Sequence, residues 1–259
     1  MTATGERFAK INAMPAYQQV AEAIERKIVD GGIRPGEPIG TEAELVRQFG
    51  VNRSTVREGI RLLEQGGLIR RSSDRRLFAS LPRYQRLASR ISRALVLHEV
   101  TFRELFEAMM AMETATIEQA VDHATAADIA VLEANLERTV AAEGKPGTLA
   151  ELDTEFHTLL ANASHNRVLQ LAREPSGLLI YPTTEIIFEK VRESQPRLVA
   201  AHRHLIEAVR GRDKDAARSW MRRHVNDWRK GFERSGKSLD HPIERVYAEH
   251  LMVASGERR

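Results

Sequence analysis

Apolar side chains recur at helical spacing through most of this chain, with one short region near residue 70 where that period fails. From Pro15 to Val29 the positions Tyr17, Val20, Ala21, Ile24 and Ile28 share one helical face, and Gly31-Gly32 stops the helix. The stretch from Ile33 to Gly40 carries Pro35, Gly36 and Pro38, cannot be helical, and is expected to form a turn. Thr41 with Glu44 three residues on makes a capping box, which opens a short helix to Phe49. Gly50 breaks it, Val51 turns inward, and Asn52 caps a second helix from Arg53 to about Gln65, ended by Gly66-Gly67. Leu68-Ile69-Arg70 and Leu77-Phe78-Ala79 then predict two short strands around the polar turn Ser72-Ser73-Asp74-Arg75.

Leu81 to Gln85, with Pro82, is expected to be a linker, and everything after it follows the helical period. Thr101 opens a long helix to His123, with Leu105, Met109, Met112, Thr116 and Ala120 along one stripe. A second runs from Thr125 to about Glu143, where Gly144-Lys145-Pro146-Gly147 ends it, and a third from Thr148 to Ala163. Asn166 to Lys190 contains Pro175 and Pro182, which predicts a broken or kinked pair of helices. Ser194 and Asp213 are expected to cap two more. The fold class is therefore mainly α. A winged helix-turn-helix with a two-stranded wing occupies residues 10–80, followed by a linker at 81–86. An all-helical bundle fills 87–235, and 236–259 form a tail that either adds a helix or is mobile.

Composition narrows the functions such a chain can have. Its 259 residues suffice for two domains with separate cores. No run of about 18 apolar residues occurs, so no membrane partner is expected, and Met1–Met14 lacks a signal-peptide core. The absence of cysteine removes disulfides and thiolate metal sites and fits a cytoplasmic protein. The net charge of +3 falls wholly within residues 1–80, the third expected to meet phosphate.

A short helix, a tight turn, a second helix and two strands is the winged helix-turn-helix order, in which the second helix presents its N-terminal residues to base edges. Here that end is Asn52-Arg53-Ser54-Thr55-Val56-Arg57. Arg53 and Arg57 share a face beside Ser54 and Thr55, and each guanidinium fork can grip guanine O6 and N7. Val56, Ile60 and Leu63 point the other way. The segments Thr41-Glu42-Ala43-Glu44-Leu45, Phe49 to Ile60 and Leu63 to Ile69 resemble the DNA-binding domain of the GntR family of regulators, over roughly Tyr17 to Ala79. The resemblance implies that Arg53, Thr55 and Arg57 contact an operator. It departs from the family at Ala43 and Arg76, where arginine and glycine are usual; Arg75 and Arg76 are expected instead to enter a narrow minor groove as cations. Thr41, Arg53, Ser54, Thr55, Arg57, Arg75 and Arg76 thus form the expected DNA-contact set. The partners are a double-stranded, two-fold symmetric operator and a second copy of the chain.

In the bundle, Asp153 and His157 lie one helical turn apart among Leu149, Leu152, Phe156 and Leu160. His202 falls on the stripe of Leu198, Leu205, Ile206 and Val209, and His224 on that of Ala217, Trp220, Met221 and Trp228. A single inward histidine is most often a hydrogen-bonded core residue, whereas three with a carboxylate suit a divalent transition metal. Leu152 to His157, Asn166 with Val168-Leu169, Ala201 to Val209 and Arg222-Arg223-His224 resemble the FCD-type ligand-binding domain of the FadR subfamily, over roughly Leu87 to Arg234. That resemblance implies a six- or seven-helix bundle holding a metal, zinc or nickel, by Asp153, His157, His202 and His224. It also implies a small-molecule effector, an organic acid, in a pocket with Met109, Glu113 and Asn166. Met109 stands where the family commonly has an arginine, which predicts a less acidic or more apolar effector, or one held by the metal alone. The whole describes a transcriptional regulator, expected to be a repressor. A metal-dependent enzyme is the alternative, but no HExxH, nucleophile elbow or phosphate loop occurs and no general base is evident. A regulator whose metal only staples the fold is another.

Overall fold

A computed structural model of the chain describes residues 14–82 and 84–244. It divides into two compact units, Met1–Arg83 and Tyr84–Arg259. The first contains α1 (Ala16–Val29), β1 (Pro38–Gly40), α2 (Glu42–Phe49), α3 (Arg53–Gly66), β2 (Ile69–Arg71) and β3 (Leu77–Ala79). Thr41 and Glu44 form the capping box that starts α2, and Gly50 ends it with a φ of 65°, a conformation glycine adopts without strain. Asn52 starts α3 by accepting the Thr55 amide proton at 2.8 Å. Val20 and Ile24 of α1, Leu45 of α2, Val56, Ile60 and Leu63 of α3, and Ile69 and Leu77 of the strands make one core. At Gly59 a Cβ would lie 2.8 Å from the Tyr17 carbonyl oxygen, so glycine sets how closely α1 and α3 approach.

The wing has three antiparallel strands in the order β1-β3-β2, not two. The extra strand comes from the segment expected to be only a turn. Pro38 is tolerated because β1 is an edge strand, where a missing N–H leaves no ladder bond unmade. The backbone amides of Gly36 and Ala79 secure it, bonding to Ala79 O at 2.8 Å and Glu37 O at 3.0 Å.

The second unit is helical: α4 (Tyr84–Leu97), α5 (Phe102–His123), α6 (Ala126–Ala141), α7 (Pro146–Ala163), α8 (Arg167–Lys190), α9 (Ser194–Arg210) and α10 (Lys214–Arg234). α4 begins inside the stretch expected to be a linker. Thr101 and Thr125 cap α5 and α6 with capping boxes, and Asp213 caps α10. α7 starts before Thr148, with Pro146 in its first turn, where the missing N–H would have had no partner anyway. The expected break in α8 does not occur. Pro175 and Pro182 are both buried within one helix. A proline inside a helix costs about 3 kcal/mol; burial of Leu179, Ile187 and Phe188 along the same helix opposes that cost, and Ser92 of α4 donates to the Pro175 carbonyl at 2.9 Å. Ser194 is not a cap either: Glu193 holds that position without a side-chain bond, and the Ser194 hydroxyl donates to Val191 O.

Two apolar clusters fill the bundle, one around Phe102, Leu152, Ile187 and Phe232, the other around Ile117, Phe156, Leu205 and Met221. After α10 the chain as far as Glu244 adds no helix. It lies against the start of α5, with Arg103 N bonded to Leu239 O at 2.8 Å and Ile243 N to Val100 O at 2.9 Å, burying Leu239 and Ile243. The remainder of the expected tail, and nearly all of the Met1–Met14 stretch, lie outside the described residues. Among the described residues no helix is long and apolar enough to cross a membrane.

Candidate DNA interface and metal centre

The outer face of α3 carries Arg53 and Arg57, both well exposed, opposite the buried Val56 and Ile60. Neither arginine is free. Glu42, in the first turn of α2, accepts from Arg57 Nε at 3.0 Å and from Arg71 of β2 at 3.0 Å, and has Arg53 Nε at 3.7 Å. Burial works to raise the Glu42 pKa, but the bonds from Arg57 and Arg71 outweigh it and hold the carboxyl below its usual range. One carboxylate therefore ties α3 to β2. Glu42 and Arg71 were missed from sequence, although Glu42 lies in the motif already quoted, because nothing in linear spacing reveals a bridge across 29 positions.

The other expected DNA contacts are placed as follows. Ser54 donates to Asn52 Oδ1 at 2.7 Å, on the exposed end of α3 beside Thr55. The Thr41 hydroxyl is engaged with Glu44 in the capping box, at 3.0 and 3.3 Å. Arg75 sits at the wing tip with a φ of 65°, beside Arg76, and both are exposed. Ala43 is exposed next to Glu42 and offers no polar group.

In the second unit, α7 delivers Asp153 and His157 one turn apart, α9 delivers His202 and α10 His224. All four are buried, and one ligand atom from each lies within 4.8 Å of the others. Asp153 Oδ1 is 3.2 Å from His202 Nε2, 3.6 Å from His224 Nε2 and 3.8 Å from His157 Nε2, while the His157 and His224 Nε2 atoms are 3.0 Å apart. An ion about 2.0–2.2 Å from each donor would separate neighbouring donors by roughly 3 Å, so the set fits a transition metal. His157 Nδ1 lies 2.9 Å from Glu113 Oε2. A proton on Nδ1 leaves the Nε2 lone pair facing the centre, as carboxylate–histidine pairs do at metal sites. His202 stacks on Phe156, with ring centroids 3.6 Å apart.

The three imidazoles differ in protonation. Burial would raise the Asp153 pKa, but the His202 hydrogen bond and the three imidazoles hold it well below the usual range. Burial pushes His202 down and His224 down to about 3, so both offer lone pairs. His157 is shifted up, because Glu113 and Asp153 outweigh its burial. Glu113 is held at about 2, against its burial, by His157 and Arg173. Two buried carboxylates thus face Arg173 and His157, the imidazole whose shift favours the charged form.

A cavity opens beside this cluster, lined among others by Met109, Glu113, Asp153, His157, Arg173 and His224. Met109 and Glu113 both line this cavity, and both Glu113 oxygens are engaged, one by His157 and the other by Arg173 Nε at 2.8 Å. Asn166 is not part of the lining. Its Oδ1 caps α8, accepting from Val168 N at 3.0 Å and Leu169 N at 3.2 Å. The cavity wall carries arginines from other helices than α5: Arg173 of α8, Arg197 of α9 and Arg234 of α10. Nothing in the local sequence signals the approach of Arg173 to Glu113, which bridges 60 positions. His204 stacks on Trp220 at 4.0 Å and bonds to Glu207, away from the cluster.

Residues 16–78 match the family described as bacterial regulatory proteins, gntR family, and residues 104–227 match the FCD domain. The HTH-type transcriptional regulator YdhC of Bacillus subtilis is 30% identical over 215 residues, covering 82% of this chain and 88% of that protein. The Glc operon transcriptional activator of Escherichia coli K12 is 28% identical, over 84% of this chain and 89% of its own. The galactonate operon transcriptional repressor of the same strain is 27% identical, over 77% and 89%. Among solved structures, a GntR protein of Streptococcus agalactiae shares the fold with a TM-score of 0.57 at 23% identity, over 83% of this chain and 99% of that one. The chain belongs to the GntR family of transcriptional regulators, with an N-terminal winged helix-turn-helix that binds DNA and a C-terminal FCD domain that binds effectors.

Proposed function

We propose that this regulator is a repressor that binds a two-fold symmetric operator as a homodimer and senses an organic acid at a divalent transition metal, zinc or nickel, and that it turns over no substrate. Arg53, Thr55 and Arg57 read base edges from α3, Thr41 and Ser54 stand at the backbone, and Arg75 and Arg76 approach the minor groove. Asp153, His157, His202 and His224 hold the metal, which when bound supplies a Lewis-acidic position for an anionic oxygen. Asp153 provides the negative charge, Glu113 orients His157, and Phe156 fixes the plane of His202. The observation that carries the reading is the set of four buried donors within 4.8 Å on the wall of a cavity. Effector binding shifts operator affinity only as far as it favours one arrangement of the dimer. A coupling of about 1–3 kcal/mol changes affinity roughly 5- to 150-fold, and operator DNA must change effector affinity by the same factor.

Elemental analysis joined to native mass spectrometry tests the site and names its occupant. One metal per chain is expected, falling sharply in His157→Ala and His202→Ala, together with a chelator-sensitive melting temperature that both variants lose. Full occupancy in both variants would remove them as ligands. An operator selected from a random duplex library, titrated with and without the co-purifying molecule, tests the sensing role. Unchanged affinity would leave the metal as a staple of the fold.

A further inference from the structure

The cavity is long, and the charge along it changes sign. His224, Asp227, Gly231 and Arg234 of α10 all line it, and steps of three or four residues set them in one row on that helix. At about 1.5 Å per residue, Arg234 stands roughly 15 Å along α10 from His224. α9 begins beside that far end: Glu193, just before its first residue, accepts from Arg234 Nη1 at 2.8 Å. Arg197, near the start of α9, lines the same cavity. The inner end therefore holds the four gathered donors and the Glu113–Arg173 pair. Asp227 follows one turn along. Ile187 is next, level with Gly231, where a Cβ would lie 2.7 Å from its Cγ2. Arg197 and Arg234 stand at the outer end.

Among the described residues neither Arg197 nor Asp227 has an ion-pair partner, although both line one cavity. The first turn of α9 contains no acidic residue, and a cation near a helix N-terminus is opposed by the helix dipole. An anion bound at this end would offset that repulsion. We propose, building on the reading that an acid oxygen coordinates the metal, that the effector is a two-ended acid. One carboxylate sits at the metal, an uncharged body passes Asp227 and Ile187, and a second anionic group meets Arg197 and Arg234. An anion held midway would instead face the Asp227 carboxylate and an apolar wall that offers it no hydrogen bond. Arg197 thereby sets the length of effector that the cavity accepts.

Calorimetry on the metal-loaded full-length protein tests this by setting diacids against monoacids of equal length. The pairs are glutarate and pentanoate, azelate and nonanoate, and undecanedioate and undecanoate. At least one of the two longer diacids should bind about tenfold tighter than its monoacid, as expected of two exposed ion pairs. Because Arg197 and Arg234 are exposed, that gain should shrink as salt rises. Glutarate, too short to reach them, should show none. Arg197→Gln should remove most of the gain and Arg197→Lys should keep most of it, with pentanoate binding and metal stoichiometry unchanged in both. Equal affinities within every pair, or a gain that survives when Arg197→Gln is combined with Arg234→Gln, would overturn the two-ended assignment. So would a gain as large for glutarate, which would place the second anion at the inner end. Each of these leaves the metal-bound acid standing. Absence of binding by every acid to fully metal-loaded protein would instead remove the acid reading itself, and this proposal with it.

Discussion

The two units carry their candidate functional side chains differently, one on its surface and the other within its core. In the first, Val56 and Ile60 of α3 are fully buried while Arg53 and Arg57 of the same helix keep most of their surface in water. In the second, His202 is fully buried and Asp153 and His157 nearly so, inside the apolar packing itself. Outward display costs little desolvation, so one amphipathic helix with its caps is enough to build it. Inward display requires a partner for each charged group, and the partners come from five helices: Glu113 from α5, Asp153 and His157 from α7, Arg173 from α8, His202 from α9 and His224 from α10. In the function proposed above, reading DNA belongs to a surface and sensing to a packed network.

Three perturbations break or sharpen that contrast. The largest effect is expected from Arg173→Ala, which leaves Glu113 buried with His157 as its remaining ionic partner. Losing one member of a buried pair costs about 3–5 kcal/mol, and a denaturant titration of the full chain should show it. A loss below about 1 kcal/mol would mean that the network is not needed for the fold of the second unit. Next comes Arg57→Ala. Operator affinity should fall by about 1–3 kcal/mol if its guanidinium forks onto a guanine, whereas stability should move by no more than about 0.5 kcal/mol, as for other exposed positions. Wild-type operator binding by this variant would take Arg57 out of the readout and weaken the picture of a surface that reads.

The smallest effect sits where the contrast is least sharp, at Glu42, a little-exposed carboxylate beneath exposed arginines. Its pKa is lowered on folding, because Arg57 and Arg71 outweigh its burial. Its contribution to stability is therefore present above the unfolded value, near 4.5, and is lost as pH falls through the lower folded value. Glu42→Gln should flatten that part of the acid-unfolding profile slightly and leave stability near neutral pH a little reduced. The same variant should loosen Arg57 and Arg71 and so broaden base preference at the position Arg57 meets. An acid profile and a binding-site logo both unchanged from wild type would show that Glu42 does not organise this surface.

Much of the first unit was legible in the sequence because its signals are local. The Thr41–Glu44 capping box, the Gly50 stop and the Asn52 cap each act within four residues, and they place α2 and α3 correctly. Its third strand was not legible, since β1 exists only through its pairing with β3 some forty positions away. In the second unit the four donors that the fold gathers, Asp153, His157, His202 and His224, could be picked from their inward stripes and from family resemblance, for a helical period reports which face is buried. What that face meets is another matter. The continuity of α8 through two prolines, the arrival of Arg173 beside Glu113 and the assignment of Asn166 to a helix cap were decided by the tertiary structure. A helix period fixes direction around one axis, while the partner across an interface depends on crossing geometry and close approach, such as that at Gly231, which no single stretch of sequence contains.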